Sequence, residues 1–427
     1  MRITKPARRT PTDVDVDRLG ADLVSPTTYC AGDPHALWDL LRSEAPVAYH
    51  RLPDGRAYWS VTRHQDCLRV VEDHETFTSE HGIMLSQLGK PDSAGGRQMV
   101  VSNPPRHTGL RAPLQELMSQ PALRPFLPRF RSYVRESLAP MAHEQPWDIA
   151  EAMMALPMAT AALLMGLPRA DWDDIRQWTV MAIAADDPEF QIDGSREATL
   201  RAAHTGLFGY FLDLLEDRRR TGSRDHHDLV SRLLSIDNAE TPLSAGDLVA
   251  NCYSLLLGAN ITSAHVPAAA ILALLDDQDR YRRWATSPGS LRSGVEEALR
   301  WSSPTIHVMR HATKDVQLHG QLIRKGAGVV AWLASANRDQ AVFARPYEFD
   351  PERAPNRHLA FGAGVHYCIG AVTARLGLRI VFEELFRCVE AFHLVGPVEH
   401  LASTFVAGVK HMPIVVRLRT GAPIDSD

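Results

Sequence analysis

The run Phe361-Gly362-Ala363-Gly364-Val365-His366-Tyr367-Cys368-Ile369-Gly370 sets one cysteine on a glycine-rich loop that leads directly into helical spacing. A thiolate is the reactive and metal-binding form of cysteine, and the free N–H groups of a helix start favour its negative charge. Gly364 and Gly370 let the backbone turn sharply and lie close to something flat. Phe361 offers an aromatic surface that shields the sulfur from water. Those needs match one thiolate holding a haem iron, the ligation that favours O–O cleavage. A loop carrying a buried structural cysteine is the plainer alternative, and the joint spacing of Phe, Gly, Cys and Gly argues against it.

That spacing, F-x-x-G-x-x-x-C-x-G at Phe361, Gly364, Cys368 and Gly370, resembles the signature of the cytochrome P450 superfamily in its soluble bacterial form. The resemblance implies that Cys368 is the proximal ligand of haem b (iron protoporphyrin IX), with Phe361, Gly362, Gly364 and Gly370 around it. It implies a mainly α fold with a small β portion, the haem lying between a long central helix and the cysteine loop. Glu297-Ala298-Leu299-Arg300 resembles the family's E-x-x-R helix, with Arg353 as its candidate partner in a later loop rich in Arg and Pro. Taken alone, such an i,i+3 pair is an ordinary surface ion pair worth roughly 0.3 kcal/mol. Haem also carries two propionates, so a buried site needs cationic or donor groups at its rim. By resemblance these are His107 and Arg111 (H-x-x-x-R), Arg310 (R-x-A) and His358 (H-L-x-F-G).

Leu248 to Leu275 contains no formally charged residue and is long enough to cross a bilayer. It also holds Asn251, Asn260, His265 and Pro267, a poor set for lipid, and a helix apolar all round suits the centre of a large soluble protein equally well. Ser244 and Asp247 read as its N-cap and first-turn acid, and Asp276-Asp277 closes it. Leu255, Gly258, Ala259, Thr262 and Val266 share one face, where Gly258 and Ala259 leave room for dioxygen and substrate. Pro267 cannot donate to the Ser263 carbonyl, so the helix should distort there. A freed carbonyl or a water beside Thr262 would help carry protons.

The family's usual run here is A-G-x-D/E-T-T, with an acid directly before the threonine. This chain reads Gly258-Ala259-Asn260-Ile261-Thr262-Ser263, with Ile261 in the acid's place. An isoleucine relays no proton. Thr262 then depends on Asn260, Ser263, ordered water or a polar group of the substrate. The departure also keeps open oxidation by radical coupling, in which a C–C or C–N bond forms and no oxygen is inserted. A smaller departure is Gly377, where an acid often follows the Ala374-Arg375 pair. By resemblance, Ile83, Met84 and Leu88, the Ile306-His307-Val308 segment and the Phe405-Val406 turn line the substrate pocket. His307 reads either as a ring that orients substrate or as a satisfied core histidine.

The elements that must position these residues follow from periodicity. Pro34 to Glu44 is a short amphipathic helix, and Val47–His50 with Ala57–Thr62 is a hairpin around Pro53-Asp54-Gly55. Residues 63–73 return to helical spacing, and Gly82 to Ser102 is a long loop. Helical periodicity governs about 105 to 300, broken near Pro168, Asp186-Asp187-Pro188 and Thr221–Asp225. Short β runs follow at Val316–Leu318 and Gly328–Trp332. After the cysteine helix, strands near Phe392–Val395 and Ile414–Arg417 close the chain.

With 427 residues, 45% of them hydrophobic, the chain can bury a large core. No linker, repeat or low-complexity run divides it, so one domain over 1–427 is expected, with residues 1–25 as a flexible extension. The net charge of −5 gives no footing for nucleic acid or an anionic membrane. Arg2, Lys5, Arg8 and Arg9 precede no apolar stretch, so no secretory signal is read. Five cysteines (30, 67, 252, 368 and 388) are scattered without a CxxC pair, which suits a reducing cytoplasm.

The resemblance therefore implies a cytoplasmic, monomeric haem-thiolate monooxygenase. It would use O2 and electrons from a ferredoxin and its NAD(P)H-dependent reductase, since no dinucleotide fingerprint is present. Arg375 and Arg379 are candidate docking charges. The substrate would be a small, moderately apolar molecule, free or bound to a carrier protein, hydroxylated or epoxidised in natural-product tailoring. A non-catalytic haem-binding sensor is the alternative from another class.

Overall fold

Apolar residues at helical spacing through the middle of the chain become Arg106–Leu117, Leu127–Leu138, Ile149–Met165, Trp172–Ile183, Arg196–Arg220, Ala245–Asn260, His265–Leu274, Gln278–Thr286 and Ser290–Ser302. The computed structural model describes residues 15–31, 34–90, 92–143, 145–221, 227–236 and 243–421. Helix breaks fall where turn residues stand. Gly166 takes the left-handed conformation (φ 68°) after Met165, and Asp187 caps the short turn Pro188–Phe190. The helix Arg196–Arg220 stops before the expected break at Thr221–Asp225, of which residues 222–225 lie outside the described residues.

The hairpin Val47–Arg51 and Ala57–Val61 pairs antiparallel with Tyr49 opposite Trp59. It extends into a five-stranded sheet through Gly328–Ala331, Val308–Ala312 and Phe77–Thr78, in that order. Only the contact of Ala57–Val61 with Gly328–Ala331 is parallel. The segment after Pro304, read from sequence only as extended, is thus an inner strand that carries Arg310. Near the C-terminus, Pro413–Leu418 lies between Trp147–Asp148 and Val389–Leu394.

The expected N-terminal extension is corrected. Residues 1–14, with the four basic residues, lie outside the described residues, but Val16–Leu23 is a helix capped by the Asp15 side chain. Its Leu19 and Leu23, one turn apart, are buried beside Trp38 and Tyr58. Residues 15–25 are therefore part of the folded structure and not of a flexible extension.

The central helix starts as read, with a capping box between Ser244 and Asp247. Its polar residues have partners elsewhere in the fold. Asp247 accepts from Arg97 at 2.6 Å, and Asn251 accepts from the Met99 N–H at 2.8 Å while donating to the Arg97 carbonyl at 3.1 Å. The stretch is not one continuous helix. It runs Ala245–Asn260, tightens into a turn at Thr262–Ala264 and resumes at His265–Leu274. The break sits within the turn before Pro267, as the missing donor to Ser263 requires. Although Ala245–Leu274 is long and apolar enough to cross a membrane, most of it is packed inside the protein.

The Glu297 pair is not a surface pair. Both Glu297 oxygens take Arg300 at 2.7 Å, and Arg353 Nε lies 3.0 and 3.2 Å from the same two oxygens. Glu297 and Arg300 are wholly buried. Arg300 also donates to the carbonyls of Asn337 and Pro346, joining Ser290–Ser302 to the chain that runs toward the cysteine loop. Removing the one carboxylate would strand two buried guanidinium groups. Glu297→Gln is expected to destabilise the protein by about 3 kcal/mol or more, seen as a lower thermal midpoint and a falling haem content on purification.

Candidate functional site

The cysteine loop closes on itself through the Cys368 N–H, which donates to the Phe361 carbonyl at 2.9 Å. Leu359 N–H is held by the Asn337 side chain at 2.7 Å, and Gly362 turns left-handed (φ 66°) with its N–H on the Leu359 carbonyl. Gly364 differs from expectation in what it approaches. A Cβ there would lie 2.8 Å from the Glu72 Cα, so this glycine admits the helix His64–Glu72. Gly370 has φ −84° and needs no special conformation. Its contribution is an N–H aimed at the sulfur, at the start of the helix Ala371–Cys388. Burial pushes the Cys368 thiol up, while that N–H and the charges of Arg111 and Arg375 pull it down. A bound metal ion would ionise it outright.

Arg375 stacks over the Phe361 ring at 4.5 Å and forms a two-pronged pair with Glu296 at 2.7 and 2.8 Å. It also donates to the Tyr367 hydroxyl at 2.9 Å. This candidate docking charge is thus already engaged within the loop. Arg379 is half-buried, with its Nε lacking a partner. Gly377 has a packing reason as well. A Cβ there would rest against the Phe130 ring at 3.4 Å, a close contact that favours a small residue.

Four cationic or imidazole groups converge beside the loop. His107 and Arg111 sit one turn apart on Arg106–Leu117, and Arg310 projects from the sheet. His366, two residues before the cysteine, packs edge-on against His107 with ring centres 4.6 Å apart. Sequence reasoning missed His366, although its place inside the motif was a sufficient signal. Its pKa is pushed down to about 2, first by burial and then by Arg310, His107, His74 and Arg111. His107 falls to about 4 through burial, Arg111 and His74, and its Nδ1 has no partner. Burial lowers Arg310 to about 10, and the one hydrogen bond of its side chain goes to the neighbouring Met309 carbonyl at 2.9 Å. Among the described residues this set has no carboxylate partner, and a group bearing two carboxylates would supply that counter-charge. The haem propionates fit.

His358 does not join that set. Its Nε2 faces Glu296 at 3.1 Å and its Nδ1 accepts from the Ala360 N–H at 3.2 Å. With both nitrogens engaged it has no donor left for a propionate, so the expectation for His358 is corrected in favour of His366.

On the face read from the sequence, Gly258 is exposed and Ala259 and Thr262 are half-buried, whereas Leu255 and Val266 are packed in apolar clusters. A Cβ on Gly258 would touch no heavy atom within 4 Å. Thr262 Oγ1 reaches the Gly258 carbonyl only at 3.5 Å, leaving the hydroxyl loosely held. Asn260 lies on the other side of the helix, in line with buried Cys252 and Leu256, and its Oδ1 has no partner. It does not share Thr262's face. Ser263 is half-buried. Ile261 is buried in a cluster with Ala184, Leu401 and Val406, so the acid's usual position is filled by apolar packing.

The comparisons agree with this geometry. A family model described as Cytochrome P450 matches residues 291–396. Putative cytochrome P450 126 of Mycobacterium tuberculosis is 34% identical over 94% of this chain and 98% of its own length. The chain belongs to the cytochrome P450 family. Linalool 8-monooxygenase of Pseudomonas putida is 30% identical, covering 92% of this chain and 98% of that one. The crystal structure of P450 OxyD, described as involved in the biosynthesis of vancomycin-type antibiotics, superposes with a TM-score of 0.84 at 33% identity, covering 93% of this chain and all of that one. The cofactor of this P450 is haem, its activity is that of a monooxygenase, and the sensor alternative falls.

The expected pocket residues divide into surface and support. Ile83, Met84, Val308 and Phe405 are half-buried, whereas Leu88 and Ile306 belong to the core around Trp332, and Val406 packs on Ile261. His307 is fully buried and satisfied. Its Nε2 accepts from the Leu85 N–H at 3.0 Å, so the ring proton is on Nδ1 and donates to the Thr404 carbonyl at 3.1 Å. Burial holds its pKa near 4 against the raising effect of the Thr404 bond, keeping it neutral at physiological pH. This imidazole pins the substrate loop to the C-terminal turn. It does not face substrate with an unused nitrogen.

Two outcomes follow for the P450's walls and loop. His307→Leu leaves the Leu85 N–H and Thr404 carbonyl without partners, and is expected to cost about 1–3 kcal/mol and to flatten discrimination among ligands in absorption titrations. Glu296 is held near 2, because its bonds to His358 and Arg375 outweigh the raising effect of burial. A depressed carboxylate stabilises above its ordinary value and loses that contribution as pH falls through the folded one. Wild type should therefore lose about 2 kcal/mol relative to Glu296→Gln as pH drops from 5 toward 2, measured by denaturant unfolding at each pH.

Proposed function

We propose that this P450 oxidises a small, moderately apolar molecule in natural-product tailoring by hydroxylation or epoxidation, with electrons delivered singly by a ferredoxin and its NAD(P)H-dependent reductase. The observation that carries the reading is Cys368 under the Gly370 N–H at the start of Ala371–Cys388, with His107, Arg111, Arg310 and His366 gathered near it and no carboxylate paired to them among the described residues. Support for the substrate class comes from two relatives, one named for linalool and one described with antibiotic biosynthesis.

Cys368 would ligate the iron from one side, while His107, Arg111, Arg310 and His366 hold the propionates. Arg111 already donates to the Tyr367 carbonyl at 2.7 Å, coupling the rim to the residue before the ligand. Thiolate-ligated haem supplies reductive activation of dioxygen and oxidation of a bound organic molecule. The chain's own part is to exclude water, position the substrate and deliver protons. Thr262 is the hydroxyl placed for delivery, since its weak bond to Gly258 lets it turn. Asn260 would act only through a bridging water, because it faces the packed side. The apolar surroundings of Ile261 close the route that an acid would open, so protons come through Thr262, water near Ser263 or a polar group of the substrate.

That same closure favours a second reading, radical coupling to a C–C or C–N bond without oxygen insertion. Turnover under isotopically labelled dioxygen decides between them, with label expected in the product and its absence assigning coupling. The first reading also requires a red-shifted Soret band in reduced, carbon-monoxide-treated protein. That band should vanish in Cys368→His, and its absence from intact, haem-loaded wild type would overturn the proposal.

A further inference from the structure

Asp187 is a wholly buried carboxylate in the turn after the helix Trp172–Ile183. Burying an acid is costly unless donors surround it, and three donors surround this one. Its Oδ1 accepts from the Glu189 N–H at 3.1 Å and from Lys410 at 3.0 Å, and its Oδ2 accepts from the Ala402 N–H at 2.9 Å. Lys410, in the strand Val409–His411, is mostly buried and also reaches Glu189 at 2.8 Å. One side chain therefore joins the turn 184–190 to the turn 401–407 and to the strand that follows.

Those two turns are the walls around Ile261. Directly before Thr262, Ile261 packs on Ala184 from the first turn and on Leu401 and Val406 from the second. Half-buried Ile183 and Phe405 lie against the same cluster. Asp187 holds both walls close to these contacts. Its N–H bonds the Ala184 carbonyl at 2.9 Å, and Ala402, which its carboxylate engages, is the residue after Leu401. The Ser403 hydroxyl adds a longer tie, donating to the Ile183 carbonyl at 3.3 Å.

An apolar plug excludes water only while its walls stay in contact, because a gap of one water's size fills wherever polar groups line it. Beside Thr262 that gap would have a chemical consequence. In a monooxygenase turnover that goes astray, dioxygen takes two electrons from the electron carrier and two protons from water and leaves as hydrogen peroxide. The organic molecule is then left unoxidised. Keeping bulk water out of the site prevents side reactions of this kind.

We propose that Asp187 is a positioning residue for oxygen activation: it clamps the two turns on Ile261, and the closed plug keeps bulk water from Thr262 and restrains the peroxide leak. This rests on the monooxygenase reading above and adds to it a residue that acts only through others. Lys410 compensates the charge of the clamp from its outer side, so its loss acts on the same plug. Removing either partner leaves the other as an unpaired charge with little solvent around it, and the turns separate.

The test uses the haem-loaded enzyme with NADPH, a surrogate ferredoxin and its reductase, and no added organic molecule. Peroxide release is followed together with the relaxation of bulk-water protons by the ferric haem, which reports water access without turnover. Both rates should rise about threefold or more in Asp187→Asn and in Lys410→Met, and Lys410→Arg should stay at the wild-type rates. Ile261→Ala opens the plug directly and should raise both rates as well. The double variant Asp187→Asn/Ile261→Ala should then leak no more than Ile261→Ala alone, whereas independent structural damage would add. If Asp187→Asn does not fold, Lys410→Met and its double with Ile261→Ala carry the same comparison. Unchanged rates in the clamp variants, unchanged rates in Ile261→Ala, or an additive double variant would overturn the proposal. A carbon-monoxide band kept in every variant assigns such a result to the plug alone, whereas a wild type without that band fails the monooxygenase reading itself.

Discussion

A buried sulfur that must carry charge once it holds the haem iron, as proposed for Cys368, is the constraint on which this architecture turns. Charge out of water must be answered locally, by dipoles, hydrogen bonds or opposite charge. At Cys368 the answer is a helix start, the Gly370 N–H and two guanidinium groups held at a distance by other partners. Those partners link the loop to the rest of the fold. Arg375 is tied to Glu296, which also holds His358, and the next residue, Glu297, gathers Arg300 and Arg353. Two adjacent carboxylates on one helix thus organise the loop and its scaffold. Each would be costly to bury alone, and each is surrounded by donors instead.

The rim shows the reverse arrangement. The charges of Arg111 and Arg310 stand beside His107 and His366, and burial with those charges drives both imidazoles toward their neutral forms. Such a set is stable only with an anion of its own, which the family's haem carries. On the reading proposed above, the haem propionates would offset that local electrostatic cost. Buried Asn251, by contrast, is satisfied by the protein itself, through the loop Arg97–Met99.

The central helix reconciles two demands. Its bulk must be apolar to fill the core, and its middle must open for small molecules. Pro267 resolves the conflict by forcing a tight turn at Thr262–Ala264, which separates a packed half from an open face of Gly258, Ala259 and Thr262. Ile261 then completes an apolar plug with Ala184, Leu401 and Val406. This chain is sealed from solvent at the position where its relatives' common pattern admits an acid.

Local information was enough for the helices, the hairpin, the helix break and the cysteine loop, because hydrophobic period, caps and backbone restrictions act within a few residues. It was also enough to pair Glu297 with Arg300. What it could not rank were residues whose roles depend on contacts far along the chain. His358 and His366 look alike in sequence, yet Glu296 engages one and the cationic rim surrounds the other. His307 was ambiguous until Leu85 and Thr404 were seen to occupy both ring nitrogens, and Asn260 until the helix showed which side it faced. Composition and short-range pattern determined the class of chemistry. Long-range packing decided which side chains are left to perform it, since a hydrogen-bonding group is spent once a distant partner has taken it.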